Sequence, residues 1–232
     1  MFLKWKLIEL DEVDSTNEYA KRIAVNFPEG TVIVAKRQTA GKGRRGRSWK
    51  SPEGGLWLSV ILKPPRLDPR LVFVGALAVV DTLEDFGIPS GIKWPNDVWV
   101  GRRKIAGILT EGKEGEYAIL GIGLNVNNPA PEGVDNATSM IHHTGKELPL
   151  NLVREKLLFH LGKWYEVYLD RPTVLMDKVR ERTFILGKIV KVEEEGRFII
   201  GRAIDVLDDG SLILEVGGEL KRILYGDVSL RI

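Results

Sequence analysis

The stretch Gly41-Lys42-Gly43-Arg44-Arg45-Gly46-Arg47-Ser48-Trp49 concentrates four cations and three glycines in nine residues. Glycine exposes backbone N–H groups, and guanidinium forks grip phosphate or carboxylate bidentately, so this composition suits an anion. The glycines match G-x-G-x-x-G, which marks a dinucleotide fold only where a strand precedes and a helix follows. Residues 48–55 contain Pro52, Gly54 and Gly55 and cannot start a helix, so that reading fails. The P-loop reading fails as well, because no Gly-Lys-Ser/Thr closes the loop. Three readings remain: an anion-binding loop that orders around its ligand, a solvated basic loop, and a nucleic-acid loop in which Trp49 stacks on a base.

Composition narrows the chemistry. The chain has 232 residues, 44% hydrophobic and 28% charged, with net charge +2 and no cysteine. That excludes disulfides, thiolate metal sites and thiolate nucleophiles. With only His142, His143 and His160 present, a zinc site is not expected. Residues 31–52 carry seven basic residues and no acid, which leaves the rest of the chain at −5. One basic loop on a mildly acidic body reads as a local anion site rather than a nucleic-acid face. The N-terminal residues lack the pattern of a signal peptide, and the longest apolar run, Leu71 to Val80, is shorter than the ~20 residues a bilayer span requires. A cytoplasmic protein is expected.

Other short motifs follow in order along the chain: Asp14-Ser15-Thr16-Asn17, Lys36-Arg37-Gln38-Thr39, Lys93-Trp94-Pro95-Asn96-Asp97, Lys104-Ile105-Ala106-Gly107, and Gly121-Ile122-Gly123-Leu124-Asn125-Val126-Asn127. Taken singly they are bland. Pro95 forces Trp94 out of helix and Asn96-Asp97 are turn residues. Lys104 follows Arg102 and Arg103, as a solvated lysine would. Gly107, Gly121 and Gly123 interrupt apolar strands, marking either close approach of a ligand or tight packing.

The elements that position these motifs can be read from periodicity. Residues 31–37, 56–63, 104–111 and 116–126 have the branched, apolar character of strands. Helices are expected over 16–26, capped by Ser15 with Glu18 three residues on; over 69–86, with Asp68 as N-cap, Pro69 first and Gly87 past the end; and over 152–169 after Asn151. A further helical stretch runs to about Arg182. The stripes Val72, Leu77, Val80, Leu83 and Leu157, Leu161, Trp164 are core, His160 is a packed or capped histidine, and His142-His143 lies in a polar loop. Mixed strand and helix order suggests an α/β or α+β sheet with helices on one face. From residue 185 on, short strands separated by Glu-Glu-Gly, Asp208-Asp209-Gly210 and Gly217-Gly218 suggest a small antiparallel barrel leaning on the main body.

As an ordered series, these motifs closely resemble the catalytic domain of the biotin protein ligases, also called biotin-[acetyl-CoA-carboxylase] ligases. The similarity runs through roughly the first 180 residues, and the end Gly226-Asp227-Val228-Ser229-Leu230-Arg231 resembles that family's C-terminal domain. The resemblance implies an α+β fold of class II synthetase type: a mixed sheet with helices packed on it over 1–184, and a small SH3-like β-barrel over 185–232. It implies two steps, activation of biotin with ATP to biotinyl-5'-AMP and transfer to a lysine of a biotin carboxyl carrier protein, with Mg²⁺ on the nucleotide and no protein metal cage. Ser15, Thr16, Asn17 and Gln38 would bind the ureido end, joined by Lys42, Gly43, Arg44, Lys104, Gly107 and Gly123 in the biotin site. Arg44 and Lys104 would be the catalytic cations. Arg44, Trp49, Lys93, Asn96, Asp97, Asn125 and Asn127 would serve the nucleotide, Asp97 acting through Mg²⁺ or by orienting Lys93. Lys42 departs from the pattern, since many relatives carry arginine there. A homodimer and the absence of a DNA-binding domain are also expected. Lipoate-protein ligase, which shares the fold, is the nearest enzyme alternative, and a nucleic-acid-binding module the alternative from another class.

Overall fold

A computed structural model describes residues 3–129, 136–194, 196–224 and 226–230. Its main sheet contains β1 (Lys6–Val13), β2 (Thr31–Gln38), β3 (Leu56–Leu62), β4 (Gly91–Lys93), β5 (Asp97–Val100), β6 (Arg103–Lys113) and β7 (Tyr117–Leu124). They lie in the order β1-β2-β3-β7-β6-β5-β4. Among these strands only β1 and β2 pair in parallel, joined across α1 (Thr16–Ile23); the other ladders are antiparallel. The sheet is therefore mixed, and the α+β class is as expected.

Side chains alternate across a strand, and here the alternation separates two cores. Val32, Val60, Leu120 and Ile108 point into the large core beneath α2 (Leu71–Asp85) and α4 (Leu150–Asp170). Their neighbours Ile33, Ile61 and Ile119 point the other way and pack with Ala20 and Ala24 of α1 and its C-terminal end. Helices thus cover both faces, which corrects the one-face expectation. The reason is that α1, polar overall, needs only a narrow apolar contact and finds it on the second face.

The strand register explains why that second face opens into a cavity. Gly121 and Gly123 follow Ile119 on the α1 side of β7, Ser59 precedes Ile61 on the antiparallel β3, and the register sets Gly107 against Gly123 and Leu109 against Gly121. Large residues lie under α1, and small ones beyond its N-terminal end leave a depression.

Several helix boundaries differ from expectation. α1 stops at Ile23, where Asn26 N–H bonds back to the Ile23 carbonyl as the chain turns toward Pro28. α2 begins at Leu71 rather than Pro69, because Asp68 caps a preceding tight turn through Arg70 N–H at 2.8 Å. α4 starts at Leu150 with Pro149 before it. His142 and His143 belong to a short helix, α3 (Met140–Thr144), not a loop, with ring nitrogens at Ser139 and Thr138. α5 (Pro172–Arg182) leads into the C-terminal strands β8 (Ile189–Glu194), β9 (Arg197–Val206), β10 (Leu212–Val216), β11 (Glu219–Ile223) and β12 (Asp227–Leu230). These form an antiparallel sheet in the order β11-β10-β9-β8-β12, and among the described residues no ladder closes β11 onto β12. Val190, Val192, Ala203 and Val206 share one apolar core with α2 and α4, so the small sheet does lean on the main body.

Candidate active site

The depression is a cavity of about 300 Å³ lined by α1, β3, β6, β7 and the basic loop. Of the expected site residues it gathers Ser15, Thr16, Asn17, Gln38, Lys42, Gly43, Arg44, Trp49, Asn96, Asp97, Lys104, Gly107, Gly123 and Asn125. Lys93 and Asn127 stand outside its lining.

One end is neutral and hydrogen-bonded. Ser15 caps α1, its Oγ accepting from Glu18 N–H at 3.5 Å, so its hydroxyl has a structural task of the kind worth ~1 kcal/mol. Thr16 and Asn17, in the first turn, are buried. Gln38 Oε1 accepts from Thr16 N–H at 2.8 Å and from Thr16 Oγ1 at 3.1 Å, while Gln38 Nε2 donates to Ser51 at 2.7 Å. Asn17 Nδ2 donates to Glu111 at 2.8 Å, and Ser59 Oγ lies 2.6 Å from Asn17 Oδ1. Sequence reasoning does not find Ser59, Ser51 or Glu111. A polar residue in the run Leu56 to Leu62 is the available signal for Ser59; nothing local marks Glu111.

The other end is cationic. Arg44, Arg47, Lys50 and Lys104 line it with the carboxylate of Asp97, while Lys42 of the same loop turns to Glu18 of α1 at 2.7 Å. The loop that brings most of them is ordered by its own backbone: Gly43 N–H donates to Arg47 O at 2.7 Å and Trp49 N–H to Gly41 O at 2.8 Å. Arg44 Nη1 donates to Asn96 Oδ1 at 2.9 Å and to the Gly226 carbonyl at 3.2 Å, tying the loop to the C-terminal sheet. Arg45 faces Glu193 across 3.7 Å. These contacts define the conformation of the loop in the structure. Burial, with Arg45 nearby, lowers the pKa of Arg44 from its ordinary value.

Lys93 to Asp97 forms the turn between β4 and β5, as expected. Trp94 anchors it, its ring buried and its Nε1 donating to Gly210 O at 2.9 Å. Asn96 Nδ2 holds the Ile108 carbonyl at 3.0 Å, leaving Oδ1 for Arg44. Asp97 pairs with Lys104 Nζ at 2.6 Å. Lys93 lies 4.2 Å from the centre of the Trp99 ring, and burial pushes its ammonium down from the usual lysine range. Lys104 is not a solvated lysine: segment 136–138 brackets its backbone, and its ammonium stands 5.0 Å over the Trp49 ring.

Two asparagines have structural partners. Asn125 is buried, donating to Thr138 O at 3.0 Å and accepting from Asn128 at 3.0 Å. Asn127 exchanges both amide bonds with the Leu148 backbone, at 2.8 and 2.9 Å, which accounts for its place outside the cavity. Among the described residues no group of three or more His, Asp or Glu could hold a metal ion, and no helix is long and apolar enough to cross a membrane.

The sequence and the fold both have matches among known proteins. Residues 10–127 match the biotin/lipoate A/B protein ligase family, and residues 185–231 match the biotin protein ligase C-terminal domain. The chain is 36% identical to the bifunctional ligase/repressor BirA of Bacillus subtilis over 97% of its own length and 74% of the relative's. It is 35% identical to the biotin--[acetyl-CoA-carboxylase] ligase of Mycobacterium tuberculosis over 86% and 79%. The biotin protein ligase from Aquifex aeolicus, solved in complex with biotin and ATP, superposes with a TM-score of 0.89 at 36% identity, over 97% of this chain and 98% of that one. With the ordered motifs now gathered round one cavity and both sheets matched, the chain belongs to the biotin/lipoate A/B protein ligase family.

Proposed function

We propose that the protein is a biotin protein ligase, converting biotin and ATP to biotinyl-5'-AMP and pyrophosphate and then passing the biotinyl group to a lysine of a biotin carboxyl carrier domain. The observation that carries this reading is the polarity of the cavity, neutral and hydrogen-bonding at Thr16, Asn17 and Gln38, and cationic at Arg44 and Lys104. A neutral urea can be held only by paired donors and acceptors, whereas a carboxylate and a phosphate meeting as two anions need fixed positive charge.

In the first step a biotin carboxylate oxygen attacks the α-phosphorus and the bond to the β-phosphate oxygen breaks, releasing pyrophosphate. Lys104, held in place by Asp97 and the bracketed backbone, stands to neutralise the meeting anions, and Arg44 to hold the new phosphate diester. In the second step the carrier lysine's amine attacks the acyl carbon and AMP leaves with its phosphate. The loop from Gly41 to Trp49, tied to Asn96 and Gly226, shields the mixed anhydride from water. Asp97, the carboxylate of the cavity lining, is paired with Lys104 and would share itself with any Mg²⁺ brought by ATP. Held there, the ion would supply neutralisation of phosphate charge.

A homodimer with main sheets side by side and a cytoplasmic location accompany this reading; β1, an edge strand of the main sheet, supports the former. Incubation of the protein with biotin, Mg²⁺, ATP and a carrier domain tests the whole proposal. The carrier should gain the mass of one biotinyl group, and no gain with biotin but a gain with lipoate would move the protein to the sister activity.

A further inference from the structure

Four oxygens form a row at the neutral end of the cavity, Gln38 Oε1, Thr16 Oγ1 and Asn17 Oδ1 from lining residues and Ser59 Oγ buried behind them, with successive separations of 3.1, 2.8 and 2.6 Å along Gln38, Thr16, Ser59 and Asn17. Only the two hydroxyls carry hydrogen, so the row has three oxygen–oxygen contacts and two hydrogens to fill them. One contact is therefore left without a hydrogen, and the oxygens of Gln38, Thr16 and Asn17, on the cavity side, are acceptors to which a donor on a ligand can bond.

That deficit depends on which way the Asn17 amide points. Were it turned round, Nδ2 would donate to Ser59, each hydroxyl would donate to the next oxygen, and the row would be saturated. Glu111 is the main group that prevents this, seconded by the Leu109 carbonyl, which accepts from Asn17 Nδ2 at a longer 3.4 Å. The Glu111 carboxylate has only acceptors to offer, so the amide must turn Nδ2 toward it, at 2.8 Å, while Lys21 pairs with the other carboxylate oxygen at 2.6 Å. Gly121 completes the arrangement, since a Cβ there would fall 2.1 Å from Asn17 Oδ1. At the far end of the row Gln38 is oriented independently by Thr16 N–H and Ser51.

We propose that Glu111 is a positioning residue that keeps the row short of hydrogen, and so selects a ligand bringing N–H donors, such as a cyclic urea, over an isostere without them. This inference rests on the biotin reading given above. Glu111 stands outside the cavity lining and acts through Asn17.

The test is calorimetric binding of biotin, and of an analogue with both ureido N–H groups replaced by oxygen, to wild type, E111Q, N17D and the N17D/E111Q double variant, with thermal unfolding of each. The glutamine introduced by E111Q can donate to a turned Asn17. In the double variant the aspartate introduced by N17D accepts from that glutamine while keeping an oxygen toward Ser59. Wild type should prefer biotin by about a hundredfold, E111Q should lose roughly tenfold or more of that preference, and the double variant should recover it to within about threefold. A role confined to the Lys21 ion pair predicts no recovery, since the double variant does not restore that pair. The proposal is overturned by a folded E111Q that keeps the wild-type preference, or by a folded double variant that fails to regain it. Should E111Q not fold, equal binding of both ligands by wild type overturns it. Wild type binding neither ligand would remove the biotin reading itself, and this inference with it.

Discussion

A Cβ built on Gly123 would fall 2.6 Å from Nε1 of Trp49, so the indole of the basic loop lies where any other residue on β7 would project. Gly107 on the neighbouring strand makes room for the same ring, its Cβ position lying 3.0 Å from Trp49 Cζ3. The strand glycines therefore fit side chains of the site: Trp49 at Gly107 and Gly123, Asn17 at Gly121.

Substituting Gly123→Ala should displace Trp49 and with it the base of the loop. Overpacking of this kind costs ~1–3 kcal/mol. Tryptophan emission should shift to the red as the ring leaves its site, and adenylate formation should fall more than the unfolding temperature alone explains. Unchanged emission with full activity would show that the ring is not held by this contact.

Lys104→Met should remove the cation paired with Asp97 while retaining the bulk of the side chain. Loss of a preorganised charge contact at a reacting centre costs about 10²–10³ in rate. Biotin-dependent adenylate formation in single turnovers should fall by that order with the fold intact. A fall confined to transfer onto the carrier would place Lys104 in the second step instead.

Arg44 joins three parts of the molecule: the loop, Asn96 and the Gly226 carbonyl. Arg44→Lys keeps a charge but loses the rigid, longer guanidinium that aims Nη1 at both acceptors. Adenylate formed by this variant should hydrolyse faster than that of wild type, because the loop is less firmly tied over the site. The check is release of free biotin and AMP in the absence of carrier; equal hydrolysis would mean that closure does not depend on this residue.

Acid stability should bear the mark of Asp14. Its hydrogen bond with Arg22 holds the carboxyl down at about 2, from an ordinary 3.8, with burial opposing and Ser15 N–H adding to the effect. A depressed folded pKa stabilises above the unfolded value and is lost as pH falls through the folded one. The stability difference between wild type and Asp14→Asn should thus be full above about pH 4 and shrink toward pH 2. Both groups are well exposed, so the difference is small and should diminish in salt. A difference that persists unchanged at pH 2 would contradict it.

Much of this was legible in the sequence because the information is local. Strand character at 31–37 and 56–63, the Ser15 cap and the turn at Pro95 each follow from neighbouring residues, and the ordered motifs carried the resemblance. What escaped depends on distant pairing. β1 carries a local strand signal in its alternation, but it is largely exposed and its place in the sheet is fixed by its parallel partner β2, which the sequence does not reveal. Glu111 matters because β6 runs beside β7 and brings it to Asn17, 94 residues away in sequence. Asn127 lies within a motif but is turned to the Leu148 backbone, an orientation that residue spacing does not reveal.

The most direct measurement of the central claim is ATP–pyrophosphate exchange on the purified protein with Mg²⁺, comparing biotin, lipoate and no acid. Exchange that requires biotin and is not supported by lipoate is predicted, since the acceptors of Thr16, Asn17 and Gln38 call for N–H donors that lipoate lacks. Exchange with lipoate alone, or none with either acid, would contradict the account.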